Sequence, residues 1–250
     1  MLKVSKGRQS SPRRVLIYGT HGIGKSSWAS CAPSPIFIDL EDGTKDIHTD
    51  RVQFDSSPED VTLDEFYQQL HAIYSEDHDY KTLVIDSVDR LELLLWRHVC
   101  QQNNKDSIEA FGYGKGYTVA LESWREFTQR IDLLRTARNM TVILIGHAKI
   151  ERFENPETKA YDRYTPKLHK SASAYLQEWC DEVFFATYQV AIRKAESKNG
   201  KPSAAKGIGA GERILKTTER PSHLAKSRLN LPDEIALDYS VYEGFLKGTV

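Results

Sequence analysis

Cysteine, methionine and long apolar runs are all scarce in this sequence of 250 residues. Each shortage removes a class of protein. The cysteines are Cys31, Cys100 and Cys180. They are odd in number, widely spaced and without a CxxC pair, which argues against a disulfide framework or a structural zinc site and for reduced thiols in a cytosolic protein. No apolar stretch approaches the ~18 residues of a membrane helix. The basic start, MLKVSKGRQSSPRR, lacks the apolar segment of a signal peptide. The net charge is −1, so no field of one sign covers the chain. These features lead us to expect a protein of the cytoplasm with no membrane contact.

The balanced charge conceals segregation. Residues 39–92 are acidic, with Asp39, Glu41, Asp42 and Asp46 close together. Residues 193–228 are rich in lysine and arginine, and the first 14 residues carry Lys3, Lys6, Arg8, Arg13 and Arg14 with no acid. Such runs suit either a solvated face or a polyanion partner. An apolar content of 40% is enough for one sizeable core.

Short β-branched runs alternate with longer amphipathic ones. Residues 15–18, 36–38, 83–85 and 142–145 read as strands of a parallel sheet buried on both faces. Residues 63–74, 88–100 and 119–137 carry apolar residues at helical spacing. This alternation predicts an α/β fold with right-handed crossovers. Residues 182–192 and 213–217 read as an antiparallel hairpin extending the sheet. Its Gly/Ser/Lys-rich tip, 193–212, is expected to be flexible, as is the N-terminal stretch 1–12. Residues 149–175 show no clear periodicity and are expected to form a mobile loop. The whole, 1–250, reads as one domain.

Within RRVLIYGTHGIGKSS, the residues Gly19, Thr20, His21, Gly22, Ile23, Gly24, Lys25 and Ser26 fit G-x-x-x-x-G-K-[ST] in full, with Ser27 following. Glycines at these positions let backbone N–H groups converge on phosphate oxygens. Lys25 is expected to reach the β- and γ-phosphates, and the Ser26 hydroxyl to ligate Mg²⁺. Asp86, at the end of the apolar run TLVID, is the candidate carboxylate for the metal shell; its other reading is a helix N-cap. At the end of PIFIDLEDG, Asp39, Glu41 and Asp42 all stand where an open parallel sheet places its ligand crevice. Spacing alone does not choose among them as the group that activates water.

With those motifs together, the sequence resembles the RecA-like P-loop ATPase core, specifically the phage-type ATP-binding proteins of single-strand annealing and recombination. The match runs in pieces from about residue 13 to 235. It implies a RecA-like core, ATP and Mg²⁺ as cofactors, and ATP hydrolysis stimulated by DNA. FIDLEDG is similar to the strand whose glutamate activates water, which makes Glu41 the implied catalytic base. TVILIGHAK is similar to the strand that ends in a polar sensor; His147 stands where RecA has glutamine after asparagine, so the coupling is expected to differ. The other reading of His147 is a ring satisfied by nearby backbone.

The resemblance further implies single-stranded DNA as a partner, with a single-stranded-DNA-binding protein as a possible second one. The implied contacts are Lys149, Arg152, Phe153, Arg163, Tyr164, Lys167 and Lys170 in the loop after the sensor strand, and Tyr113 and Lys115 in FGYGKGY. Basic groups interleaved with aromatic rings suit unpaired bases. AKSRLNLP is similar to a segment whose cations reach a neighbour's ATP, so Lys226 and Arg228 are implied trans-acting groups of a homo-oligomer with ATP at subunit interfaces; a basic surface turn is the other reading. The alternatives are a helicase-loader or motor-type ATPase acting on a protein partner, and a nucleotide-dependent binding module with little turnover.

Overall fold

The computed structural model describes residues 2–7, 11–193 and 206–249. In chain order the strands are β1 (Arg14–Gly19), β2 (Pro35–Asp39), β3 (Asp50–Arg51), β4 (Thr82–Asp86), β5 (Thr141–Phe153), β6 (Tyr161–Pro166), β7 (Glu182–Arg193), β8 (Lys206–Lys216), β9 (Lys226–Ser227) and β10 (Glu234–Ala236). The helices are α1 (Lys25–Ser30), α2 (Leu63–Ser75), α3 (Val88–Gln102), α4 (Lys115–Arg138), α5 (Lys170–Trp179) and α6 (Tyr239–Lys247), with a 3-10 turn at Ile108–Phe111 before α4.

The main sheet runs β10–β8–β7–β1–β5–β4–β2–β3. From β7 to β3 its pairs are all parallel, whereas β8 pairs β7 and β10 pairs β8 antiparallel. The α/β fold, its parallel strands and the antiparallel C-terminal extension are as the residue pattern indicates. The two strands that end in the glycine-rich turn and in Asp86 lie on either side of β5.

Period-two alternation divides the central strands between two apolar layers. Leu16, Tyr18, Ile38, Leu83, Ile85 and Leu144 face the layer that holds Phe66, Leu91, Trp124, Phe127 and Leu176 from α2–α5. Val15, Ile17, Phe37, Val84, Ile143 and Ile145 face Trp28 of α1 and Tyr239 and Tyr242 of α6. Burying both faces of a strand explains why these segments read as continuous apolar runs. The helices begin where side chains can satisfy free N–H groups: Thr62 accepts from Glu65, Ser87 from Arg90 and Asp238 from Ser240.

Two expectations need correction. Residues 149–175 do not form a loop. β5 continues past the sheet to Phe153 and pairs antiparallel with β6, in register from Ala148↔Pro166 to Phe153↔Tyr161, and α5 follows from Lys170. A ladder needs only backbone N–H and C=O groups, so mixed polar side chains conceal it from a periodicity count. The hairpin tip expected over 193–212 is also shorter: pairing persists from Tyr188↔Arg213 to Arg193↔Lys206, with an irregularity between Tyr188 and Val190. The rest of that tip, 194–205, lies outside the described residues, as do residues 1 and 8–10 of the N-terminal stretch.

Close strand approach makes one glycine a packing requirement. A Cβ on Gly19 would lie 2.3 Å from the Ala186 carbonyl oxygen on β7, a contact that only backbone movement relieves. Gly19→Ala is therefore expected to lower the unfolding free energy of nucleotide-free protein by about 1–3 kcal/mol. Urea denaturation measures this; an unchanged midpoint would remove the constraint.

Candidate nucleotide site

Parallel register collects the site at the carboxyl ends of four strands. Asp39 of β2 stands opposite Asp86 of β4, and Gly19 of β1 opposite His147 of β5. The turn between β1 and α1 carries Gly22 at φ 71° and Gly24 at φ 103°, conformations that glycine adopts without the cost a Cβ brings. A cavity of about 280 Å³ is lined by Gly24, Lys25, Ser26, Glu41, Asp86 and His147, among others. All six are among the residues to which the sequence assigns a role.

Lys25 is 6% exposed, and its ammonium donates to the carbonyl oxygens of Gly19 at 3.1 Å and Thr20 at 3.0 Å. Burial holds it below the ordinary lysine range. Ser26 Oγ donates to Asp86 Oδ2 at 2.5 Å. Burial pushes Asp86 up to about 6 against that hydrogen bond, and the carboxylates of Asp39 and Glu41 add to the rise. A hydroxyl and a carboxylate in contact, crowded by two further carboxylates, form a hard oxygen set short of positive charge. That donor chemistry fits Mg²⁺ together with a polyphosphate. Ser26 and Asp86 are the groups that would hold the ion.

Asp39 shapes the next corner. Its carboxylate accepts from the backbone N–H of Glu41 at 3.0 Å and of Thr44 at 3.0 Å, and from the Thr44 hydroxyl at 2.6 Å. The Leu40 N–H reaches the Asp86 carbonyl at 2.6 Å. Together these bonds turn the chain so that Glu41 faces the cavity, where its carboxylate accepts from Ser87 Oγ. Of the three acids that spacing left equivalent, Asp39 is thus committed to backbone and Asp42 pairs with Lys45, while Glu41 Oε1 lies 3.8 Å from His147 Nδ1. His147 itself donates to Asp89, and His21 stacks on its ring at 3.8 Å. His147 lowers the His21 imidazole below its ordinary range.

Thr20, His21 and Ser27 are exposed around the cradle, and Ile23 is buried beneath it. Arg213 of β8 was missed by sequence reasoning: its guanidinium donates to the Ile23 carbonyl at 3.4 Å. It arrives through sheet pairing, and no local motif marks it. Ser87, which follows Asp86, reaches the site by donating to Glu41.

Beside the cavity runs a groove of about 1080 Å³, whose lining includes Glu41, Asp89, Trp96, Lys149, Lys167 and His169. The Lys167 N–H donates to the His147 carbonyl at 2.8 Å. Tyr117, six residues beyond Phe111, stacks on His169 at 4.0 Å and 4°. The last residue of the FGYGKGY segment therefore packs against His169 at the edge of the groove, which Lys167, Leu168 and His169 line. Tyr113 is fully exposed and Lys115, Lys167 and Lys170 are exposed. No acid among the described residues lies within ion-pair distance of those three lysines.

The other expected contacts are tied down. Lys149 donates to the Leu168 carbonyl at 2.9 Å. Arg152 faces Asp162 at 3.4 Å. Arg163 lies over the Phe153 ring at 3.9 Å and faces Glu219 at 3.5 Å. Tyr164 stacks on Phe185 at 4.9 Å. Lys226 opens β9 and Arg228 follows it; β9 pairs with the beginning of β7 at the opposite end of the sheet from the cradle. There Lys226 donates to the Gln177 carbonyl at 2.5 Å and Arg228 to Asp181 at 2.8 Å. Both cations have partners within their own chain and neither joins this chain's phosphate cavity.

The fold and the cradle define the class of a P-loop ATPase domain. The family described as "AAA domain" (AAA_24) matches residues 11–229, and the chain belongs to that family. It is similar to the SPbeta prophage-derived uncharacterized protein YorG of Bacillus subtilis (strain 168), 27% identical over 235 residues, which are 92% of this chain and 63% of that protein. The chain thus spans less than two thirds of that relative's length. Among solved structures it is similar to the RadB recombinase, with a TM-score of 0.40 and 14% identity over 82% of this chain and 80% of that one. No helix among the described residues is long and apolar enough to cross a membrane.

Glu92 gives the groove a pH signature. This α3 carboxylate is 4% exposed and accepts the His169 N–H at 2.9 and 3.1 Å. Burial pushes it up to about 7, so the folded protein holds this proton more tightly than the unfolded chain does. Its contribution is fully present below about 4.5 and is lost as pH rises to about 7. Glu92→Gln is expected to gain stability relative to the parent over that window and to hold a constant difference above it. Denaturation midpoints at pH 5, 6, 7 and 8 measure this; a difference that does not change with pH would overturn it.

Proposed function

We propose that this protein binds and hydrolyses ATP with Mg²⁺ and couples that cycle to single-stranded DNA, promoting annealing or strand pairing. The reading rests chiefly on one observation: the phosphate cavity and the lysine-bearing groove share Glu41 and are joined by the Lys167–His147 backbone bond. A change at either side of that wall alters the other.

Lys25 neutralises phosphate charge, and its present carbonyl bonds are ones that phosphate oxygens replace. Glu41, held by Asp39 and Ser87, orients the attacking water beside the γ-phosphate. Mg²⁺, when bound, supplies the positive charge that lets three carboxylates and a polyphosphate share one cavity. Lys167 in the groove and Lys115 and Lys170 beside it, none of them held in an ion pair among the described residues, would face phosphates, and Tyr113 offers a ring for an unpaired base. The protein is proposed to act as a homo-oligomer, with ATP near the subunit boundary.

A second reading is an ATPase that remodels a protein partner. It is favoured by Glu41, Asp42, Glu59 and Asp89 in the same groove lining, because these acids repel a nucleic-acid backbone and attract a basic peptide.

ATP hydrolysis measured against the concentration of single-stranded DNA separates the readings. Stimulation is expected, together with loss of turnover by at least about 100-fold in Lys25→Ala. Turnover that ignores DNA favours the protein-partner reading, and undiminished activity in Lys25→Ala refutes the cradle assignment. Replacing Lys115, Lys167 and Lys170 together with alanine is expected to weaken single-strand binding and flatten its logarithmic salt dependence by about 2. Fluorescence anisotropy at several salt concentrations measures this; an unchanged slope removes the groove as the contact surface.

A further inference from the structure

Asp89, in the first turn of α3, aims both carboxylate oxygens at residue 147. Oδ1 accepts the His147 backbone N–H at 3.0 Å, and Oδ2 accepts from the ring nitrogen Nδ1. Gly146 makes the approach possible: a Cβ there would meet Val88 Cγ2 at 3.2 Å and Asp89 Oδ1 at 3.6 Å. The His21 ring covers His147 at an angle of 24°. The imidazole is therefore fixed in position, in rotation and on one ring face. Burial raises the Asp89 carboxyl, but the bonds from His147 outweigh it and hold the group below the usual carboxylate range. A carboxylate facing Nδ1 requires the proton on Nδ1.

We propose that Asp89 is a positioning residue. It keeps His147 in the Nδ1–H form, leaving Nε2 as an acceptor at the wall of the phosphate cavity, where it orients the water that attacks the γ-phosphate together with Glu41. This inference rests on the proposed ATP hydrolysis. It accounts for three residues at once: Gly146 leaves the space, Asp89 fills it with an anion, and His147 answers with a ring whose second nitrogen is free for the substrate side. An amide sensor has no tautomer to set and needs no such carboxylate.

The test is Asp89→Asn, which keeps an acceptor for the backbone N–H but turns an N–H toward Nδ1 and so favours the other tautomer. Long-range ¹⁵N–¹H spectra of histidine-labelled protein read the tautomer, with His147 assigned among the eight histidines by the loss of its signals in His147→Gln. The parent is expected to show the Nδ1–H form and Asp89→Asn the Nε2–H form. With this switch, kcat is expected to fall about 10–100-fold at nearly unchanged KM for ATP. In the His147→Gln background, Asp89→Asn is expected to add little, because the ring it serves is gone.

An Nε2–H ring in the parent overturns the proposal. So does an unchanged kcat in Asp89→Asn, a loss confined to KM, or a full additional loss in the His147→Gln background. The spectra need no turnover: a parent that hydrolyses no ATP refutes the proposed function, while the tautomer still decides whether Asp89 sets the ring.

Discussion

Backbone hydrogen bonds between parallel strands are what the rest of this protein depends on. They set Asp39 beside Asp86 and Gly19 beside His147, four residues from four segments separated by up to ~130 positions of chain. No side chain of the site is long enough to correct an error in that register. A shift of one residue along β4 turns Asp86 to the opposite face and sends an isoleucine into the cavity. The two-sided apolar burial of β1, β2, β4 and β5 therefore does more than stabilise the sheet. It fixes the register, because Leu16 and Tyr18 suit one layer and Val15 and Ile17 the other.

The same convergence brings together more negative charge than a protein interior tolerates unaided. Asp39, Glu41, Asp86 and Asp89 all end near one small cavity that holds a single buried ammonium. Each acid is handled differently. Asp39 is satisfied by N–H groups and a hydroxyl, and Asp89 by His147. Glu41 keeps one hydroxyl donor and a partly exposed position. Asp86 is left with the hydroxyl of Ser26 and rises to about 6. The carboxylate least well satisfied by the protein is thus the one beside Ser26, the serine that follows the cradle lysine. Electrostatic frustration of this kind is relieved by a cation and is expected at a site built for one.

Legibility in the sequence followed how local each signal is. The cradle is eight consecutive residues, and the strands that enclose it are β-branched runs buried on both faces, so both are readable without a partner. Glu41 is different: only resemblance distinguished it from Asp39 and Asp42, and the physical reason is the Asp39 turn, which no count of acids reveals. Asp89 looks like an ordinary acid in the first turn of a helix, and its service to His147, 58 residues away, exists only in the fold. The β5–β6 hairpin was misread as a loop because its ladder is written in backbone groups. Lys226 and Arg228 kept the expected spacing but are occupied by Asp181 and by carbonyls of α5, which spacing cannot register.

That hairpin alters the physical argument for coupling. A disordered loop that folds around a nucleic acid gives up roughly 1–2 kcal/mol per residue in ordering its backbone. Here β5 is one strand of 13 residues, continuous from the sheet core through His147 and Lys149 to Phe153, with β6 returning to Lys167 at the His147 carbonyl. Most of that ordering is complete before any ligand arrives. A strand also transmits displacement differently from a loop. A pull on Lys167 meets a hydrogen bond to residue 147, and residue 147 is clamped by Asp89 and by the ring of His21. The cost of moving it falls on the cavity lined by Lys25, Glu41 and His147 rather than on slack in the chain, and that stiffness is what the proposed coupling of groove to cavity would use.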